Sequence, residues 1–209
     1  RSVLPSSSAV NWASMFMGAG PELHGYTEWG SRIPELPSRV LNTDNRFPNI
    51  FGLYREQHPD AEIGYIYEWE GMNYLVDTLA ISYRKQAVVS EDSPGGCTSF
   101  AVQYIKEKKP DFCAVIYDQP DGTGHSSGWK SQEYFDKMNE LDGYLVQIVQ
   151  AVEDAGIMDE TVIVVVSDHG GIEKGHGGKT MDEMQTSIVF CGKGIKKGFS
   201  IPESTMVYD

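Results

Sequence analysis

Cysteine is scarce in this chain, and basic charge and long apolar runs are short as well. Cys97, Cys113 and Cys191 are far apart and form no CxxC pair, which argues against a cysteine-built zinc site. No stretch approaches the ~18 consecutive apolar residues that a spanning helix needs. Lys and Arg total 17 against 30 Asp and Glu, a formal charge of −13 and a pI of about 4.7. A sequence-independent grip on nucleic-acid phosphates requires clustered cations, so a polymeric nucleic acid is not the expected partner. Small anionic substrates stay open, because bound divalent cations reverse the local field in a pocket. With 209 residues, 40% of them hydrophobic, the chain is expected to form one domain around a real core.

Histidine is also sparse, at five residues, yet three of the five fall in short stretches of matching character. These are Asp121-Gly-Thr-Gly-His125, Ser167-Asp168-His169-Gly170-Gly171 and Gly175-His176-Gly177-Gly178. Two of the three begin just past a β-branched run, where α/β proteins place their chemistry. Asp and His oxygen and nitrogen atoms are what a zinc-class ion prefers. Gly122 and Gly124 suggest a tight turn that aims Asp121 and His125 at one point, the alternative being a polar turn with an incidental histidine. Asp168 follows a wholly apolar strand, where an unpartnered carboxylate is costly, the alternative being a helix-capping Asp beside an exposed His. His176, alone in a glycine-rich loop, acquires meaning only from the other two stretches.

The remaining pattern is apolar strand, loop, amphipathic helix. Strands are predicted over 62–67, 112–117, 161–166 and 187–191, and helices over 50–57, 99–108 and 131–155. Pro110 ends the second helix and Gly156 caps the third. Tyr134, Met138, Leu141, Leu145, Ile148, Val149 and Val152 recur at three-four spacing, a single buried face. The run 161–166 is apolar at consecutive positions, which predicts a strand buried on both sides. The fold class that follows is α/β, a doubly wound, mostly parallel sheet with helices on both faces. Residues 24–48, rich in Pro, Gly, Trp and charge, read as a surface excursion. A serine run, Ser6-Ser7-Ser8, leads into Ala-Val-Asn11-Trp-Ala-Ser-Met, a helix start. A serine there sits beside the positive end of a helix dipole and free N–H groups, a place suited to a phosphoryl group, the alternative being a plain N-cap serine.

Taken in order, these motifs resemble the alkaline phosphatase superfamily, in particular its nucleotide pyrophosphatase/phosphodiesterase branch. Ser8 and Asn11 match the nucleophile and the Asn three residues after it. Pro21-Glu22-Leu23-His24-Gly25 matches the Pro-Glu-x-His-Gly turn, and Asp121/His125, Asp168/His169 and His176 follow. The resemblance runs from Ser2 to about Gly198. It implies two divalent metal ions, zinc with manganese as the alternative. One would be held by Asp121, His125 and His176. The other would be held by Asp168, His169 and Ser8, with an aspartate from a strand upstream of this chain. The ends read as cut from a longer protein, since the sequence opens without Met and the resemblance implies a missing first strand. It further implies attack by Ser8 through a phosphoseryl intermediate, with Asn11 donating to a phosphoryl oxygen of a small phosphate ester, possibly a nucleotide. His24 is expected to order its turn. Lys174 and Lys179 flank His176 as solvated loop residues or phosphate contacts. Trp29, Tyr26 and Trp69 are candidates for local packing or for stacking on a base. The family often has His after the Asn, where this chain has Trp12, and a longer insertion before the last His. A phosphomonoesterase, phosphonate hydrolase or phosphomutase shares the constellation. A sulfatase requires Cys or Ser followed by x-Pro-x-Arg, which does not occur around Ser6–Ser8. A non-catalytic binding fragment is the reading from outside the enzymes. The resemblance implies a periplasmic or secreted setting.

Overall fold

The computed structural model describes residues 1–88 and 96–209. Strand β1 (Ile63–Tyr67) is central, with β2 (Tyr83–Gln86) and β3 (Phe112–Ile116) parallel to it on either side, in the order β2-β1-β3. Alternation along β1 sends its side chains to opposite faces, and each face meets helices. On one face Ile63, Tyr65 and Tyr67 pack against Ala9, Ala13 and Phe16 of α1 (Ser8–Met17) and Phe51 of α3 (Ile50–Gln57). On the other, Ile66 packs against Cys97, Ala101 and Tyr104 of α4 (Cys97–Lys108). Gly64 permits this second packing, because a Cβ there would lie 2.3 Å from the Tyr104 ring. The result is an α/β architecture with a parallel sheet between helical layers, as the apolar runs predict. Each fully buried aliphatic or aromatic side chain contributes roughly 1.5–3 kcal/mol relative to exposure.

Helix α3 spans the predicted residues, and β1, β3 and α4 lie within two residues of prediction. Strand β2 was not anticipated: its sequence, Tyr-Arg-Lys-Gln, is mostly polar, and it lies at one end of the sheet order, where a strand needs only one buried flank. The long helix α6 (Gln132–Asp154) starts at Ser131, whose side chain accepts the Tyr134 N–H at 3.1 Å. Its predicted stripe buries only toward the C-terminal end. There Ala151 and Val152 join Ile105 and Ala155, while Met138 stays 45% exposed.

Strand β4 (Val162–Val166) departs from expectation twice. It pairs with β5 (Ile188–Gly192), but antiparallel and in a sheet of their own. It is also not buried on both faces: Val162, Val164 and Val165 are each more than 40% exposed. Among the described residues β5 is its only ladder partner, so consecutive valines have no second layer to fill. Residues 26–48 run in turns and bends without helix or strand, fastened by Leu36 N–H to the Gly25 carbonyl and Arg39 N–H to the Leu23 carbonyl. No described helix is long and apolar enough to cross a membrane.

Candidate two-site metal centre

Helix α1 brings the serine to the site. Ser7 stands at its N-cap in extended conformation, and Ser8 opens the first turn. Asp121 and His125 do not lie on a tight glycine turn. They occupy a short helix, α5 (Asp121–Ser127), and four-residue spacing puts both on one face. Gly124 in that helix makes room for the Trp129 ring, which a Cβ would meet at 2.7 Å. Asp168 and His169 follow the end of β4, as predicted. His176 arrives on a loop stapled to the serine segment: Ser6 Oγ donates to the Gly178 carbonyl at 2.6 Å and accepts the Gly177 N–H at 3.1 Å.

The ligand atoms of Asp121, His125 and His176 all lie within 4.8 Å of one another. His125 Nε2 is 3.4 Å from Asp121 Oδ2, and His176 Nε2 is 3.5 Å from Asp121 Oδ1. Beside this triad, His169 Nε2 lies 3.4 Å from Asp168 Oδ2 and 3.2 Å from Ser8 Oγ. The His169 and His176 rings stack with centroids 3.9 Å apart, so the two groups form one centre.

Tautomers follow from the second ring nitrogens. His125 Nδ1 meets the Lys174 carbonyl at 2.9 Å, His176 Nδ1 the Ser6 carbonyl at 3.0 Å, and His169 Nδ1 the Gly170 carbonyl at 2.8 Å. A carbonyl only accepts, so each Nδ1 carries a proton, and in its neutral form each ring presents an Nε2 lone pair inward. Those lone pairs face carboxylate oxygens, acceptor against acceptor, and Asp121 Oδ1 is buried with no hydrogen-bond partner. Burial and then the neighbouring His169 hold the His176 ring below the usual imidazole range, so proton uptake there is disfavoured. Burial pushes the Asp168 carboxyl above the usual carboxylate range, offset in part by His169. Oriented lone pairs and an orphaned carboxylate oxygen are what a divalent cation satisfies, and backbone carbonyls on the outer nitrogens are the usual support for ligating histidines. Asp121, His125 and His176 thus fit a divalent cation.

Six of the seven residues singled out from sequence meet here: Ser8, Asp121, His125, Asp168, His169 and His176. The seventh, Asn11, is corrected. It is fully buried, its Oδ1 accepts the Val3 N–H at 2.6 Å, and its Nδ2 donates to the carbonyls of Val3, Pro5 and Ser7. Its amide is saturated by backbone, so it clamps the segment leading to Ser8 and has no donor left for a phosphoryl oxygen. His24 orders its turn as expected, accepting the Tyr26 N–H on Nδ1 and lying 2.9 Å from Ser14 Oγ. Lys174 is fastened by its ammonium to the Ser126 carbonyl at 2.6 Å. Sequence reasoning missed three supports. Ser6 bridges the serine segment and the His176 loop. Trp129 packs on Gly124 and Gly171, edge-on to His125. Buried Glu183 accepts the N–H groups of Gly178 and Thr180 beside His176. Only Thr180-x-x-Glu183, a capping-box spacing, carries a local signal.

This fold is of the alkaline phosphatase type, and solved structures agree on the architecture. A 2-O GAG sulfatase superposes with a TM-score of 0.70 over 100% of this chain and 59% of its own, at 13% identity. Murine ectonucleotide pyrophosphatase/phosphodiesterase 5, in an inactive form with AMP, superposes with a TM-score of 0.59 over 81% of this chain and 47% of its own, at 17% identity. Within that class, residues 68–185 match the model of the type I phosphodiesterase/nucleotide pyrophosphatase family, and the chain belongs to it. Ectonucleotide pyrophosphatase/phosphodiesterase family member 1 of Mus musculus is 25% identical over 182 residues, 81% of this chain but 20% of that protein. GPI ethanolamine phosphate transferase 3 of Schizosaccharomyces pombe is 30% identical over 125 residues, 58% of this chain and 13% of that protein. The chain thus spans a small part of the curated relatives it matches.

Proposed function

We propose that this chain carries the catalytic centre of a metal-dependent hydrolase of phosphate esters, a phosphodiesterase or nucleotide pyrophosphatase, with Ser8 as nucleophile. The observation that carries the reading is Ser8 Oγ at the His169 Nε2 lone pair, beside a triad of ligand atoms that all face one point. Asp121, His125 and His176 would hold one divalent ion and Asp168, His169 and Ser8 the other, zinc by donor type with manganese the alternative. When bound, such ions supply Lewis-acid polarisation of a phosphoryl oxygen and a lowered pKa for hydroxyl groups in contact with them.

The chain's own residues account for the rest. Helix α1 fixes the serine backbone, and the Asn11 clamp fixes the segment before it, so Oγ is positioned ahead of binding. The Ser8 hydroxyl donates to the His169 lone pair that the ion would take, which puts the serine oxygen within reach of the cation position. In the first half-reaction Ser8 Oγ bonds to phosphorus and loses its proton. The P–O bond to the leaving group breaks, and the departing oxygen keeps the electron pair and gains a proton. In the second, water adds to phosphorus, loses a proton, and Ser8 Oγ leaves and is reprotonated. The preference for a diester rests on the family match, since Asn11 does not face substrate. The identity to a GPI ethanolamine phosphate transferase favours a second reading, in which an alcohol replaces water in the second half-reaction. An extracytoplasmic setting belongs to the same proposal, carried by the ectoenzyme designation of the mouse relative.

The test is hydrolysis of an aryl phosphodiester against the matching monoester, with zinc supplied, by the full-length protein and its Ser8→Ala variant. The expected result is a diester preference and a loss on the order of 10³-fold or more in the variant. Undiminished turnover by Ser8→Ala would remove the serine from the mechanism. Product analysis with added ethanolamine separates hydrolysis from transfer.

A further inference from the structure

We propose that Glu183 is a positioning residue for His176: its carboxylate braces the His176 loop against the serine segment and so sets the affinity of the ligand triad for a cation. This rests on the metal-dependent reading above and deepens it.

Glu183 is buried in a short helical turn, α7 (Met181–Met184), where an unpartnered carboxylate would be costly. Both of its oxygens meet donors only. Oε1 accepts the Gly178 N–H at 2.7 Å, and Oε2 accepts the Thr180 N–H at 3.1 Å and the Thr180 hydroxyl at 2.6 Å. The exchange with Thr180 is a capping box, a task that glutamine performs as well as glutamate. The Gly178 bond has no part in that box. It reaches back to the second residue after His176, and glycine admits it, because a Cβ at 178 would lie 2.6 Å from the carboxylate.

Through Gly178 the brace runs to the start of α1. The Gly178 carbonyl accepts from Ser6 Oγ, Ser6 Oγ accepts the Gly177 N–H, and the Ser6 carbonyl accepts from His176 Nδ1. His176 is thus gripped at its ring and at both residues that follow it, by a serine two residues before Ser8. The main chain of the same turn holds the neighbouring segments. The Glu183 carbonyl accepts the Gly170 N–H at 2.8 Å, one residue after His169, and the Met184 carbonyl accepts the Ser2 N–H at 2.8 Å. A glutamate whose whole role was to start a four-residue helix would need no bond to Gly178. Groups that orient a ligating histidine from behind change metal affinity without touching the ion.

The experiment titrates zinc into the metal-free full-length protein by calorimetry and follows urea unfolding of the same metal-free samples. The binding step weakened by His125→Ala, which removes a ligand of the triad alone, identifies the triad. In Glu183→Gln the amide oxygen is expected at Thr180, which presents two donors, with the NH2 set against the Gly178 N–H. The box then stays and the brace is lost, and zinc affinity at the triad step should fall about tenfold to a hundredfold. Thr180→Ala does the reverse, removing the hydroxyl of the box and keeping the Gly178 bond. It should lower the urea midpoint and leave zinc affinity close to wild type. If Glu183→Gln does not fold, Glu183→Asp answers the same question. It keeps an anion in the first turn, falls a methylene short of Gly178, and should show the same loss. Unchanged zinc affinity in the Glu183 variants, or an equal loss in Thr180→Ala, would reduce Glu183 to a helix cap while leaving the metal centre intact. A zinc titration that His125→Ala does not alter would remove the triad as a metal centre, and this role with it.

Discussion

Asn11 shows how a residue can be found by its motif and misread in its role. Its amide makes one accepted and three donated contacts, all to the backbone of residues 3–7, with no exposed surface. Removing it takes the partner from the Val3 N–H and weakens the hold on the Val3 carbonyl, at about 1–3 kcal/mol for each group that water cannot reach, while the Pro5 and Ser7 carbonyls keep the N–H groups of Ser7 and Asn11. Asn11→Ala should therefore lower the urea midpoint by several kcal/mol worth of stability, as well as reduce activity. A variant of wild-type stability that has lost only substrate affinity would return Asn11 to the phosphoryl group. Ser8 differs in kind, since its hydroxyl meets one side-chain lone pair and its truncation leaves no buried carbonyl behind.

At the scale of elements, His24 is the pin between two helices. It lies at the end of α2 (Pro21–His24) and reaches Ser14 in α1. Ser14 Oγ also lies 2.8 Å from the Val10 carbonyl, which can only accept, so the hydroxyl proton points there. His24 Nε2 must then donate to Ser14, while its Nδ1 accepts from Tyr26. Both ring nitrogens are committed in the neutral form. Burial lowers the ring's pKa from 6.5 to about 4, against a smaller opposing pull from Glu22. The unfolded chain thus takes up a proton near 6.5 while the folded protein does not until about 4. The stability from neutral His24 is fully present above pH 6.5 and is lost as pH falls from 6.5 toward 4. The loss amounts to about 3 kcal/mol at the lower limit. Urea unfolding at pH 7.5 and pH 5 should show this decline, and NMR titration of the His24 ring should return a pKa near 4. A ring that titrates near 6.5 would contradict it.

Across the whole molecule, the centre joins parts that are distant in sequence: Ser8 from α1, Asp121 and His125 from α5, Asp168 and His169 after β4, and His176 on its loop. Cation binding should therefore stabilise the assembled fold against the unfolded chain. At a free concentration a hundredfold above Kd, this linkage amounts to about 2.7 kcal/mol. Zinc should raise the melting temperature of the wild-type protein, chelation should reverse the rise, and His176→Ala should blunt it. A melting temperature indifferent to zinc and to chelator alike would argue that the inward lone pairs serve no ion. The half-exposed valines of β4 belong to this scale too, because burial of a strand depends on what lies across it.

Ligand types and their order were legible in one dimension, because Asp-x-x-x-His and Asp-His motifs carry their chemistry within a few residues. Strong periodicity likewise revealed α3, α4, β1 and β3. Other features needed the third dimension. Strand β2 is nearly all polar and is a strand because β1 offers it a ladder. The β4–β5 pairing is antiparallel because of how the chain returns, which no local run of valines encodes. Asn11 became a clamp because residues 3–7 fold back over it, and Ser6 and Trp129 became supports through contacts tens to more than a hundred residues away. The sequence by itself determined which atoms could ligate and which segments could be helix or strand, since those depend on composition and short-range sterics. Only the tertiary structure decided which lone pairs face inward, which amide is already satisfied and which carboxylate braces the His176 loop, since those depend on long-range packing and hydrogen bonding.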